Sequence, residues 1–107
     1  MKLQPTRKFL RDAKYLNKKF PSFRSDLASK TADILDNPHE GESIGQSCYK
    51  VRMAITSKGK GKSGGSRLIT CVKIERDTIY LLTIYDKSER EDISDEELKQ
   101  LLKHIED

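Results

Sequence analysis

The chain is poor in the residues that staple or stiffen a small fold: two cysteines, three prolines, two histidines and no tryptophan among 107 residues. Two cysteines make no disulfide framework. Cys48 and Cys71 both fall in strand-like runs and read as buried, reduced thiols. His39 and His104 stand far apart, with no other ligands at metal spacing, so neither a metal nor a cofactor is expected. No apolar run is long enough to cross a bilayer, and no apolar stretch follows the early lysines as a signal peptide requires. The expectation is a cytoplasmic protein. The most informative absence is one of charge: from Ser43 through Ile74 there is no Asp or Glu.

The same segment contains seven Lys or Arg, whereas from Asp86 onward nine acids face four bases. The net charge of +4 and pI near 9.1 therefore conceal a basic middle and an acidic tail. A positive field concentrated on part of a small domain is the electrostatic footprint of a polyanion binder. With 35% hydrophobic and 36% charged residues in 107, the chain suits one globular domain with a modest core, residues 1–107 forming a single unit.

Met1 to Gln4 can form a short strand ended by Pro5, with Thr6 placed to cap a helix. Phe9, Ala13, Leu16 and Phe20 then mark one face of a helix over Arg7 to Phe20. After Pro21, Ser22 is positioned to cap a second helix, whose core stripe reads Phe23, Leu27, Ile34 and Leu35 before Asn37-Pro38 stops it. The polar stretch His39 to Ser47 is expected to lack regular structure. Tyr49, Val51, Met53 and Ile55 alternate with Lys50 and Arg52, the period-2 pattern of a half-buried strand. Further strands are expected over 67–74 and 79–85. Ser94 and Glu97 form a capping box ahead of Leu98, Leu101, Leu102 and Ile105, so a third helix ends the chain.

Strand pairing turns this pattern into a candidate site. With Ala54 opposite Arg67 and Arg67 opposite Tyr85, one sheet face carries Lys50, Arg52, Arg67, Ile69, Cys71, Leu81, Thr83 and Tyr85. The other carries Val51, Met53, Ile55, Leu68, Val72, Ile74, Tyr80, Leu82 and Ile84, which two helices would cover. Lys50, Arg52, Arg67 and Tyr85 then gather at one end of the helix-free face, with Lys87 just beyond.

Thr56 to Ser63 resembles the end of a phosphate-binding loop, but Thr56 stands where that motif needs glycine and the loop leads into a strand rather than a helix. A basic hairpin loop riding on a phosphate backbone fits Lys58, Lys60 and Lys62 better. Arg67, Lys50, Arg52, Lys87 and Tyr85 are the types wanted for cutting RNA without a metal. That reaction activates a 2′-hydroxyl, stabilises charge on a pentacovalent phosphorus and protonates a leaving oxygen. Arginine's fork holds two phosphate oxygens, a lysine among cations can shift its pKa, and a tyrosine can stack on a base or donate to phosphate. Plain phosphate binding by the same cations is the simpler reading.

The order of short strand, helical hairpin, three-stranded meander and end helix resembles the RelE/ParE toxin superfamily of type II toxin–antitoxin modules. Lys58-Gly-Lys-Gly-Lys-Ser-Gly-Gly-Ser-Arg67, followed by Ile79-Tyr-Leu-Leu-Thr-Ile-Tyr-Asp-Lys87-Ser-Glu-Arg90-Glu-Asp-Ile-Ser, is similar to the HigB-like RelE branch. The resemblance implies an α+β domain like that of microbial ribonucleases. A short N-terminal strand and helical hairpin would pack on a mainly antiparallel sheet, with a C-terminal helix. It further implies cleavage of mRNA in the ribosomal A site, and a cognate antitoxin as partner alongside ribosome and mRNA. The family's basic pair falls on Lys50 and Arg52, its arginine on Arg67, and its basic residue past the last strand on Lys87 or Arg90. Where some members carry a catalytic Tyr or His, this chain reads Glu91-Asp92-Ile93. Tyr85 is the substitute if the register holds. The departure leaves two alternatives: a ParE-like inhibitor of DNA gyrase, or an inactive module that binds RNA or the antitoxin. Ile69, Cys71, Ile79 and Leu81 would offer the antitoxin an apolar surface on the helix-free face, or the third helix would cover that surface instead.

Overall fold

The computed structural model describes residues 1–59 and 64–105. The order is β1 (Lys2–Pro5), α1 (Arg7–Lys19), α2 (Phe23–Asp36), β2 (Glu42–Gly45), β3 (Cys48–Met53), β4 (Ser66–Lys73), β5 (Thr78–Asp86) and α3 (Asp95–Lys103). One five-stranded sheet runs β1-β5-β4-β3-β2, with β1 parallel to β5 and every other pair antiparallel. This is the expected α+β architecture. Thr6 caps α1, accepting from the Phe9 amide at 3.2 Å, and its hydroxyl donates to Leu81 O at 3.0 Å, so the cap also ties helix to sheet. Ser94 caps α3 by accepting from Glu97 N at 3.1 Å.

Several expectations are corrected. The stretch expected to be irregular contains β2, which joins β3 through a two-residue turn at Gln46 and Ser47 with φ of 54° and 62°. Left-handed backbone at both turn positions normally selects Asn-Gly, and its absence hid the hairpin. In the next hairpin Arg52, not Ala54, lies opposite Arg67. The displacement is two residues, so the faces are preserved.

Arg67 does lie opposite Tyr85, but the β4–β5 register shifts between Ile69 and Thr70. One extra residue in β5 reverses which side chains face which side beyond that point. Leu81, expected beside Tyr85, joins Ile79 in the cluster under α1 and α2, while Leu82 packs under α3 with Tyr80 against it. Thr83 Oγ1 reaches Asp12 of α1 at 2.6 Å. Ile74, assigned to the core face, is 75% exposed.

The face expected to be helix-free carries α3. Leu98, Leu101 and Ile105 cover Cys48, Ile69, Cys71 and Leu82, and burying such side chains is worth roughly 1.5–3 kcal/mol each. The apolar surface expected to receive an antitoxin is therefore absent, since Ile69, Cys71, Ile79 and Leu81 are all buried. On α2, Leu35 is exposed and Lys30 is buried instead, its ammonium 2.7 Å from Glu40.

Candidate active site

At the end of the sheet beyond α3, a groove of about 730 Å³ is lined by Lys50, Arg52, Arg67 and Lys87, with Glu40, Glu42, Glu91 and Asp92. Strand alternation brings the first three together: Arg52 and Arg67 are directly opposed, and Lys50 lies two residues along β3 on the same face. Lys87 is held nearby because its amide donates to Gly65 O at 3.0 Å. Gly65 packs against β3 so closely that a Cβ there would sit 2.4 Å from Met53 O, which explains glycine immediately before the arginine strand.

The cations differ in environment. Arg67 is only 4% exposed and forms the floor, with Nη1 donating to Ser66 O at 3.1 Å. Burial, then the neighbouring Arg52, lowers its pKa below the ordinary arginine value. Arg52 is exposed and makes no hydrogen bond or ion pair among the described residues. Lys50 Nζ donates to Asp92 Oδ1 at 3.2 Å and lies 3.5 Å from Glu42 Oε1. Partial burial opposes its charge, but the Asp92 hydrogen bond and both carboxylates outweigh this and raise the pKa above that of an ordinary lysine. The Ile93 amide at 2.8 Å, and then Lys50, hold Asp92 below the usual carboxylate range against partial burial.

Tyr85 sits beside Arg67 but is buried, and its hydroxyl finds no hydrogen-bond partner among the described residues. Burial and then Asp92 raise its pKa. Arg90 lies over the Tyr85 ring at 5.3 Å, pairs with Glu97 of α3 and donates to Asp92 O at 3.0 Å. It fastens α3 to the sheet rather than lining the groove.

Lys58, read from sequence as a gripping residue, points inward. Its Nζ is 2.6 Å from Asp86 Oδ1 and 5.5 Å from the Phe20 ring centre, and its side chain is 10% exposed. The turn it occupies, Thr56–Lys58, is also held by α2, through Thr56 N to Asp26 at 2.9 Å and Ser57 N to Ser22 Oγ at 2.9 Å. Ser22, expected as a helix cap, makes no cap hydrogen bond and holds this turn instead. Lys60 and Lys62 lie outside the described residues. Cys48 and Cys71 are opposed on β3 and β4 as buried free thiols, and hydrogen bonding between them and then burial raise the Cys48 pKa.

Asp92 and Glu42 are groove residues that the sequence reading did not single out. Asp92 lies in the very triplet where a catalytic Tyr or His was sought, and its partner is forty-two residues away. The whole arrangement offers three juxtaposed cations, one at the floor, with a hydrogen-bonded carboxylate beside them. It suits a phosphate diester, whose charge the cations meet while the carboxylate takes a proton.

Two solved structures of Escherichia coli toxin RelE share the fold. One is a form with two arginine-to-alanine substitutions in the free state, with TM-score 0.64, 20% identity, and coverage of 96% of this chain and 95% of the other. The second is the isolated toxin, with TM-score 0.61, 20% identity and 96% coverage of each chain. Residues 1–106 match the family model described as the RelE toxin of the RelE/RelB toxin–antitoxin system. With the fold and the sequence match agreeing over nearly its full length, the chain belongs to the RelE toxin family.

Proposed function

We propose that this toxin is a ribosome-dependent mRNA endoribonuclease, restrained by a cognate antitoxin, that cleaves through attack of a 2′-hydroxyl on the adjacent phosphate. The observation that carries the reading is the buried Arg67 guanidinium at the groove floor, flanked by Arg52 and Lys50. Arg67 holds the developing charge on phosphorus, and Arg52 and Lys50 position the non-bridging oxygens. Asp92 accepts the 2′-hydroxyl proton as O2′ bonds to phosphorus. The P–O5′ bond then breaks, leaving a 2′,3′-cyclic phosphate, and Lys87 supplies the proton that the 5′-oxygen takes.

Lys50 is a poor choice of base because Asp92 and Glu42 hold it protonated. Tyr85 lies beside Arg67 with Arg90 over its ring, and its raised pKa and burial remove it from proton transfer.

The test is induced expression with 5′-end mapping of cellular mRNA. Wild type should cut within the ribosomal A site, and Arg67→Ala should reduce cutting by about 10²–10³-fold, the usual cost of losing one preorganised charge stabiliser. Equal cutting by both would sink the assignment. Intact mRNA with induced DNA damage would instead identify a gyrase poison.

A further inference from the structure

Cys48 and Cys71 take no part in the groove, yet the sheet sets them face to face. They are Cα partners on β3 and β4, and both are 0% exposed. The Val72 amide donates to Ser47 O at 2.9 Å, one residue outside the pair on each strand. That pattern makes Cys48 and Cys71 a non-hydrogen-bonded pair, the closer of the two kinds in an antiparallel ladder, with Cα atoms about 4.5 Å apart. A disulfide spans about 4.4–6.8 Å between Cα atoms, so the backbone already stands within bonding range. Both sulfurs also lie on one acceptor, Gln46 O, at 3.4 Å from Cys48 Sγ and 3.9 Å from Cys71 Sγ.

Over the pair lies α3, whose Leu98, Leu101 and Ile105 close the cluster formed with Ile69 and Leu82. Burial keeps the thiols protonated and out of reach, and only a thiolate attacks a disulfide. α3 has nine residues, fewer than the roughly 12–15 that hold a helix together in isolation, so off the sheet it unfolds. Its polar attachments lie at its margins: Arg90 to Glu97, and Arg76 Nη1 to Ile105 O at 3.1 Å. Opening of α3 is thus a local event that bares both sulfurs while β3 and β4 stay paired.

We propose that Cys48 and Cys71 form a latent cross-strand disulfide, made by exchange with a small-molecule disulfide such as oxidised glutathione when α3 lifts from the sheet. One cysteine thiolate attacks a sulfur of the small disulfide, forming a mixed disulfide and expelling one thiolate. The second cysteine thiolate attacks the protein sulfur of that mixed disulfide and expels the other. Two electrons pass from the cysteine pair to the small disulfide, and the two cysteine protons end on its two thiols. The product differs from the thiol pair only by two hydrogens, so α3 closes over it again. The bond does covalently what Leu98, Leu101 and Ile105 do by burial: it holds β3 to β4. Arg52 and Arg67 are opposed four residues along the same two strands and on the same face, so the clamp fixes the ladder that sets them.

The experiment incubates the full-length protein, purified under reducing conditions, with oxidised glutathione at about pH 8, where thiolate accumulates, and reads intact mass after maleimide labelling. Wild type should give a monomeric product lighter by two hydrogens that takes up no maleimide, and dithiothreitol should reverse it. Closing a loop of this length should raise the melting midpoint by about 10 °C or more, and Cys48→Ala/Cys71→Ala should show no such rise. Leu98→Ala/Leu101→Ala should form the bond at least about tenfold faster, and the bond should restore part of the midpoint that the substitutions remove. Wild type in urea below its unfolding midpoint keeps the test available if that variant folds poorly. There the oxidation rate should rise with urea along a shallower slope than global unfolding, the mark of a local opening. Glutathione adducts or inter-chain bonds without the internal bond overturn the proposal, as do thiols that stay reduced in urea. So does an oxidised form that melts below the reduced one, or an oxidation rate that follows the slope of global unfolding.

Discussion

Lys50 and Lys58 come from the same acid-free segment, and each ends in a hydrogen bond to an aspartate, yet the two pairs do different things. Lys58 meets Asp86, whose side chain is 1% exposed and also accepts from the Ser88 amide at 2.9 Å and the Ser88 hydroxyl at 2.8 Å. Lys50 meets Asp92, whose side chain is 60% exposed at the lip of a groove. A carboxylate sealed in the fold cannot exchange its lysine for a phosphate, because removing either partner strands a charge in a low-dielectric site. An open carboxylate can. Burial of the acid separates a structural pin from a site.

That contrast can be broken in three ways. Asp86→Ala leaves Lys58 buried and unpaired and should destabilise the protein by about 3–5 kcal/mol, read as a large drop in the urea midpoint with any residual cleavage confined to the folded fraction. Stability within 1 kcal/mol of wild type would show that Asp86 is no pin. Asp92→Asn should do the reverse, lowering the cleavage rate by about 10²-fold through loss of the proton acceptor while moving stability by no more than about 1 kcal/mol. If its cleavage matched wild type, Asp92 would be reduced to a competitor for Lys50.

The smallest effect is a difference in acid titration. Both aspartates have native pKa values lowered from the usual carboxylate range, so each contributes stability that is present above the unfolded pKa and lost as pH falls through the depressed native value. Urea midpoints should therefore fall as the pH drops below about 4, the unfolded carboxylate value. Asp86→Asn should flatten that decline and Asp92→Asn should change it little; equal flattening by both would erase the distinction drawn from burial.

The legible part of the molecule was its local part. Apolar spacing of Phe9, Ala13 and Leu16, the Thr6 and Ser94 caps and the alternation around Lys50 and Arg52 report on neighbours a few residues away, and α1, α3 and β3 appear where those signals fall. The candidate cations were legible for the same reason, since side-chain parity along β3 and β4 survives a two-residue error in register. Asp92, Lys58 and the covering of the Cys48 and Ile69 face were not. Their partners are distant in the chain, and a bulge in β5 leaves little mark in hydrophobic pattern when both faces are buried.

By itself the sequence determined the class of fold, the faces of α1 and α3 and the set of cations gathered around Arg67, because each follows from a period or a cap written within one element. The tertiary structure alone decided which of those cations are free to meet a phosphate. It buried Lys58 with Asp86, tied Arg90 to Glu97 and set Asp92 beside Lys50. An ion pair depends on where two distant segments meet and how much water remains between them, and no local pattern encodes that meeting.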